Sequence, residues 1–160
     1  MKRHWAFLRY MLRHKWLVFM ECCKLGIPWL GIIHDWSKFL PSEWMIQART
    51  RYNRDGSPRD CRRSTGEWNT ESMDVAGQIG LLHHLARNKH HWQYWVFLDA
   101  RPCWKSLPMP ERYRREMLAD WRAAGKQPEL LDVDTWYGQN RERIVLHPET
   151  QRWIDGEMQT

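Results

Sequence analysis

The spacing of apolar residues is the feature that most restricts the fold of this chain of 160 residues. Apolar positions recur at the intervals of an α-helix. The sequence has no sustained alternation of apolar and polar residues, no internal repeat and no low-complexity tract. This pattern predicts an all-α protein that folds as a single-domain helical bundle. The length is sufficient to bury one core.

Glycine and proline residues divide the chain into predicted helices. Gly26 ends the first helix, while Pro28 and Pro41 each lie where a new helix starts. We expect residues 1–125 to form the core of the bundle and residues 126–160 to form a C-terminal helical extension packed on the same domain. The predicted helices cover residues 2–25, 28–39, 41–52, 70 to beyond 84, 88–97, 110–124 and 134–143, and a last one begins at 148.

Tryptophan and histidine are unusually frequent, with 12 and 8 residues respectively. Twelve indoles cannot all lie in one small core, so several should line a groove, a site or an interface.

A hydrophobic content of 42% with 28% charged residues excludes a disordered chain. The net charge of +6 favours an anionic partner such as a nucleotide, a nucleic acid or a membrane face.

The most apolar stretch, residues 16–33, does not fit a membrane span. A bilayer helix needs about 20 mostly apolar residues, whereas this stretch contains Glu21, Lys24 and Pro28. The four cysteines include no C-x-x-C pair, which favours reduced thiols. We therefore expect a cytoplasmic protein without membrane association.

Four residues are the leading candidates for metal ligands. His34 and Asp35 offer an imidazole nitrogen and a carboxylate oxygen, a ligand set that suits Mn, Fe, Co, Zn or Mg. A solvated or helix-capping pair is the alternative. His14 and Asp120 each lie on a mostly apolar face of a predicted helix. A polar group buried there needs a partner, which could be a metal ion, a core hydrogen bond or an ion pair.

The order His14, His34–Asp35 and Asp120, each on its own predicted helix, resembles the HD superfamily of metal-dependent phosphohydrolases. The resemblance implies an HD-domain-like bundle in which the four side chains hold one divalent metal ion. It also implies metal-assisted hydrolysis, because a bound metal ion lowers the pKa of a water molecule and polarises a phosphoryl oxygen. The expected substrate is a phosphate ester or phosphodiester of a nucleotide or a nucleotide-derived signal.

A longer series of segments is similar to a family of small bacterial and phage proteins of unknown function. This resemblance covers most of the chain and implies a bacterial or phage-infected host cell, but no particular activity. Its segments are Leu12–Trp16, His34–Phe39, Pro41–Glu43, His83–His84, Asn88–Trp95, Met109–Glu111, Asp120–Trp121 and His147–Thr150.

Two further residues are candidate catalytic groups. Lys38 follows His34 by one helical turn, and in a phosphohydrolase it would contact a phosphate oxygen or stabilise charge at phosphorus. A surface lysine is the alternative. Glu43 could act as a general base for the attacking water, or it could be a helix-start carboxylate favoured by the helix dipole.

Histidines in the middle of the chain offer a second group of ligands. We expect His84 and His91 to hold a second metal ion or a phosphate, and His83 and His90 to have structural roles. Nearby residues could bind an anionic, polar or aromatic part of a substrate, or could be ordinary helix-end and wall residues. These candidates are Arg87, Asn88, Trp36 and Trp92.

The stretch Arg49–Arg63 carries six arginines against two aspartates. A flexible basic loop could bind a polyphosphate or a nucleic-acid strand by charge and stacking, or it could simply be solvated. One alternative function is therefore a non-catalytic nucleotide- or nucleic-acid-binding helical protein that uses this loop and its Trp-rich surface. Another is a small interaction protein whose tryptophans form a partner surface.

Overall fold

The structure is a computed structural model that describes residues 1–61, 68–100, 103–127 and 130–158. It is mostly helical, as predicted, with one small antiparallel sheet of two strands. The strands are β1 (Val96–Leu98) and β2 (Trp104–Ser106). The α-helices are α1 (Lys2–Lys24), α2 (Pro28–Ile33), α3 (Pro41–Arg51), α4 (Val75–Arg87), α5 (Glu111–Ala124), α6 (Val133–Asn140) and α7 (Pro148–Met158).

The predicted helix over 28–39 is wrong in its second half. Helix α2 ends at Ile33, because His34 has an extended ψ of 131° and Asp35 adopts the left-handed conformation with φ 52°. A short 3-10 helix, Trp36–Phe39, follows this break. The break separates the two adjacent ligand candidates from the regular helix in which they were expected.

The region after α4 also differs from the prediction. Residues 88–97 do not form a helix: Asn88 is extended, one 3-10 turn covers Trp92–Trp95, and the chain then enters β1. Val96 and Phe97 are β-branched and aromatic residues that favour a strand. The helix predicted to start at 70 begins at Val75 instead, because the Asp74 carboxylate caps it by accepting a hydrogen bond from the Gly77 amide at 2.8 Å.

Helix α1 packs against α2, α3 and α5. Its buried residues form two apolar clusters, one with α5 through Val18 and Cys22 and one with α3 through Phe7 and Met11. Helix α2 approaches α1 so closely that a Cβ atom added at Gly31 would lie 2.8 Å from the Cα atom of Phe19. This close approach fixes the position of the turn that follows α2.

The last two helices pack against α5 and share an apolar cluster with it. Met117 and Leu118 of α5 contact the cluster that contains Tyr137 and Ile154, all of them buried. Residues of the C-terminal segment therefore reach the interior beside the helix that carries Asp120.

None of the twelve tryptophans is fully buried: seven are partly buried and five are exposed. Several pack against the core, among them Trp92 and Trp121. The most exposed tryptophans, with 61–67% of their surface accessible, are Trp5, Trp16, Trp29, Trp36 and Trp104.

Within the described ranges, no helix combines the length and the apolarity needed to cross a lipid bilayer.

Candidate metal centre

The break between α2 and the 3-10 helix directs His34 and Asp35 into the bundle. Asp35 is the one non-glycine residue with a positive φ among the described residues. Aspartate tolerates this conformation better than most residues. The Lys15 ammonium donates hydrogen bonds to the carbonyl oxygens of Ile32 at 2.9 Å and of His34 at 2.7 Å. The His34 and Asp35 side chains are almost fully buried.

The four ligand candidates from three separate parts of the chain lie together. The Nε2 atom of His14 is 3.0 Å from Oδ1 of Asp120, and Nε2 of His34 is 3.6 Å from the same oxygen. The Oδ2 atom of Asp35 lies 3.3 Å from Nε2 of His34 and 4.0 Å from Nε2 of His14. The ligand atoms of His14, His34 and Asp120 all lie within 4.8 Å of one another, so one ion could contact them.

A second group of possible ligands lies on the other side of the Asp35 carboxylate. Its Oδ1 atom is 3.4 Å from Nε2 of His84 and 3.5 Å from Nε2 of His90. The Nε2 atom of His91 is 2.9 Å from Nε2 of His84. Asp35 therefore directs one oxygen toward each group of histidines. The structure brings together the expected His84 and His91, and adds His90, for which a structural role was expected.

Two glutamates hold the histidine rings from behind. Glu116 Oε1 lies 3.0 Å from Nδ1 of His34 and 3.2 Å from Nδ1 of His90. Glu43 Oε2 lies 3.1 Å from Nδ1 of His84. A carboxylate on one ring nitrogen fixes the tautomer and leaves the other nitrogen available to a metal ion.

Several buried ligand atoms lack a hydrogen bond in the described part of the chain. They are Nε2 of His34, Nε2 of His90 and Oδ1 of Asp35. A buried polar atom without a partner costs about 1–3 kcal/mol. All three atoms face the centre of the cluster, where imidazole nitrogens and carboxylate oxygens form a suitable ligand set for a divalent transition metal. These residues therefore fit a metal ion.

The carboxylates of the cluster are held in their charged form. Burial alone would raise the pKa of Asp35, but Lys38, His34 and His84 outweigh it and hold this pKa well below its ordinary value. Burial of Asp120 is likewise outweighed by the nearby rings of His14 and His34, so the pKa of Asp120 is also well below its ordinary value. Charged carboxylates are the form that binds metal ions.

The histidines differ in their protonation. Burial lowers the pKa of His14 and His84, and burial beside neighbouring histidines lowers the pKa of His91 well below its ordinary value. His34 is the exception: burial opposes its charged form, but Asp35, Asp120 and Glu116 raise its pKa well above the ordinary value. Metal binding at His34 thus requires loss of a proton.

Three further predicted site residues, Lys38, Asn88 and Arg87, lie at different distances from the cluster. Lys38 is buried, with its ammonium 2.5 Å from Oδ2 of Asp35. The Asn88 side-chain amide lies 2.9 Å from Nδ1 of His84, whereas the Arg87 guanidinium is exposed and 3.8 Å from Glu43.

A cavity of about 410 Å³ opens beside the cluster. His14, Lys38, His84, His91 and Asp120 form its polar end. Trp92 lines it, whereas Trp36 is 65% exposed and is not among its lining residues in the described chain. The C-terminal segment contributes another wall. The aromatic lining residues are Tyr10, Trp68, Trp92, Trp121 and Trp136.

The basic stretch Arg49–Arg63 is not uniformly available to a ligand. Arg49 pairs with Asp74 at 2.9 Å, and Arg59 donates a hydrogen bond to the carbonyl oxygen of Arg49 at 3.2 Å. Arg51 is buried and lines the cavity, and Arg54 is exposed. The remaining two arginines of the stretch, Arg62 and Arg63, lie outside the described residues.

Sequence reasoning missed the roles of His90 and Glu116. Glu116 precedes Asp120 by four residues on α5, so both carboxylates share one helix face. This spacing could have indicated from the sequence that Glu116 lies near the cluster. For His90 there was no comparable signal, because the structure of residues 88–91 depends on contacts with α4 and the turn at Asp35.

The fold and this cluster define a mostly helical protein with buried His, Asp and Glu groups that could hold metal ions. The chain belongs to a family of unknown function, DUF5662, which matches residues 3–160. No curated protein and no solved structure matches the chain. None of these comparisons connects it to the HD superfamily.

Proposed function

We propose that the protein is a metal-dependent phosphohydrolase of the HD type, which hydrolyses a phosphate ester or phosphodiester of a nucleotide or a nucleotide-derived signal. The proposal depends on one observation above all, the position of the Asp35 carboxylate between two groups of histidines. His14, His34 and Asp120 would hold one ion with Oδ2 of Asp35. The other oxygen of Asp35 would share a second ion with His84, His90 and His91.

The metal ions would supply Lewis acidity toward the phosphoryl group and a water molecule of lowered pKa. The residues around them hold this arrangement in place. Glu116 and Glu43 orient the rings of His34 and His84 through their Nδ1 atoms. The Lys38 ammonium pairs with Asp35 and also lines the cavity, so it can neutralise charge on a phosphate oxygen bound there.

The cavity supports a nucleotide as the substrate. Small-molecule sites are typically cavities of about 300–1,000 Å³ with apolar walls and a few polar groups, and a volume of about 410 Å³ falls in this range. Trp92, Trp121 and Trp136 provide flat apolar surfaces on which a base can stack. The polar end beside Asp120 and Lys38 would receive the phosphate.

The experiment is a hydrolysis assay on protein loaded separately with Mn, Fe, Co, Zn or Mg, using nucleoside monophosphates, polyphosphates and cyclic nucleotides. We expect metal-dependent release of product from at least one of them. Asp35→Asn should abolish it, because this change weakens both ligand groups. Asp134→Asn, at an exposed position of α6, is the matched control and should retain activity.

Two results would contradict the proposal. One is a purified protein that binds no divalent metal ion in any of these loadings. The other is an Asp35→Asn variant that hydrolyses the substrate as fast as the unmodified protein. A nucleotide that binds tightly and is never hydrolysed would instead support the non-catalytic binding protein.

A further inference from the structure

Arg51 is a buried charged residue that lines the cavity outside the metal centre. It is only 7% exposed, although it carries a permanent positive charge. Its guanidinium lies between two aromatic rings, with the Cζ atom 4.6 Å from the ring centroid of Tyr10 and 4.3 Å from that of Trp68. All three residues line the cavity. Both rings can hold the guanidinium in place through cation–π contacts.

No carboxylate within the described ranges balances this charge. The hydrogen-bond acceptor of the Arg51 side chain there is the amide oxygen of Gln47, which lies 3.4 Å from Nε. By contrast, Arg49 pairs with Asp74 and Arg141 pairs with Asp155. A buried charge without a partner is costly, and the remaining N–H groups of Arg51 are suited to bidentate binding of a phosphate or carboxylate.

The position of Arg51 relates it to the candidate metal centre. The Tyr10 ring lies parallel to the His14 ring, at an interplanar angle of 4° and a centroid separation of 5.9 Å. Arg51 therefore lies one aromatic ring beyond a proposed metal ligand, along the wall of the same cavity. The cavity thus has a cation at its metal end, Lys38, and further cations elsewhere on its lining, Arg51 and Arg143.

We propose that Arg51, held between Tyr10 and Trp68, binds a second phosphate of the substrate, distinct from the phosphate that reacts at the metal centre. This inference rests on the proposed function only in assigning the first phosphate to that centre. The substrate is then a nucleotide with at least two phosphate groups, either in one chain or on separate hydroxyls. A small nucleotide suits a cavity of about 410 Å³ better than a nucleic-acid strand.

The anion site is tested first without metal, so that the result is independent of catalysis. Inorganic pyrophosphate is titrated into chelator-treated protein in a calorimeter. We expect binding by the unmodified protein and an affinity at least about tenfold lower for Arg51→Gln, since this change removes charge-assisted hydrogen bonds to the anion. Arg9→Gln removes the same charge from an exposed position of α1 and should bind as the unmodified protein does.

Equal pyrophosphate affinity of Arg51→Gln and the unmodified protein would overturn the proposal, as would absence of binding by the unmodified protein. Arg51→Lys serves if Arg51→Gln does not fold. It retains the charge but loses the planar fork, so its affinity should be lower than that of the unmodified protein; an unchanged affinity would count against the site. A single-stranded oligonucleotide that displaces pyrophosphate and binds more tightly through Arg51 would overturn the small-nucleotide assignment.

The second experiment compares AMP, ADP and adenosine 3′,5′-bisphosphate as substrates of the manganese-loaded protein. We expect a KM about tenfold lower for a nucleotide with a second phosphate than for AMP, and we expect Arg51→Gln to remove this difference between the two KM values. Whichever of ADP and the 3′,5′-bisphosphate has the lower KM shows whether the two phosphates lie in one chain or on separate hydroxyls. If no nucleotide of this experiment or of the wider panel is hydrolysed although pyrophosphate binds through Arg51, the proposed function fails and the anion site remains.

Discussion

Glu116 Oε1 lies 3.0 Å from Nδ1 of His34, and both side chains are buried. This contact leaves Nε2 of His34 directed toward Asp35 and Asp120. We predict that Glu116→Gln lowers the affinity for a divalent metal ion by about 10–100-fold, because a neutral amide orients and polarises the ring less well than a carboxylate. The affinity is measured by competition with a chelator. Glu142→Gln, on the exposed surface, is the control; an equal affinity of the two variants would contradict the prediction.

The shared position of Asp35 predicts how metal is lost from variants. His14→Ala should empty only the group that contains His34 and Asp120, and His91→Ala should empty only the group around His84. Asp35→Asn should weaken both groups, because one of its oxygens faces each of them. Metal content per protein molecule, measured by mass spectrometry, checks this. Equal metal loss in the His14 and His91 variants and in Asp35→Asn would show that the groups do not act as two sites.

The contact of Gly31 with α1 predicts a loss of stability on substitution. A Cβ atom there would lie 2.8 Å from the backbone of Phe19 and 2.9 Å from Cβ of Cys22. Gly31→Ala should therefore lower the free energy of unfolding by about 1–3 kcal/mol, and move the turn at His34. Denaturant unfolding measures the change in the free energy of unfolding.

Gly138 provides the matched control for this substitution. It also lies inside a helix, but nothing lies within 4 Å of a Cβ added there. Gly138→Ala should leave the stability unchanged or raise it by up to about 1 kcal/mol. A destabilisation of Gly138→Ala equal to that of Gly31→Ala would mean that the close approach of α1 and α2 is not the cause.

The ion pair between Arg141 and Asp155 predicts a dependence of stability on pH. Hydrogen bonds from Arg141 lower the pKa of Asp155 from 3.8 to about 2. The charged carboxylate is thus favoured in the folded state, so its contribution to stability is complete above about pH 4 and disappears as the pH falls toward 2. The difference in free energy of unfolding between the unmodified protein and Asp155→Asn should therefore shrink when the pH falls from 6 to 3. A difference that stays constant over this range would contradict the assignment.

The helices were largely predictable because their signals are local. Gly26, Pro28 and Pro41 mark the ends of elements at the residues where the structure has them, since proline and glycine restrict the backbone irrespective of tertiary contacts. The hairpin β1–β2 was missed for the opposite reason. Its strands are short, and pairing depends on residues that are separate in sequence.

The candidate site was partly predictable for a thermodynamic reason. A histidine or an aspartate on an apolar helix face, such as His14 or Asp120, requires a partner, and the structure brings both to the same cluster. The left-handed turn at Asp35 could not be inferred, because it occurs among tertiary contacts such as the packing of α2 on α1 and the hydrogen bonds of Lys15 to Ile32 and His34. The contacts of His90 and Glu116 with His34 likewise exist only in the folded chain.

The pairing of His34 with Glu116 has a consequence for protein synthesis. The two residues are 82 positions apart, and Asp120 and the cavity residue Trp136 emerge still later from the ribosome. A nascent chain that ends before α5 would expose unpaired histidines and carboxylates and would lack a complete set of ligands. The ligand group of His14, His34 and Asp120 is therefore complete only after α5 has been translated.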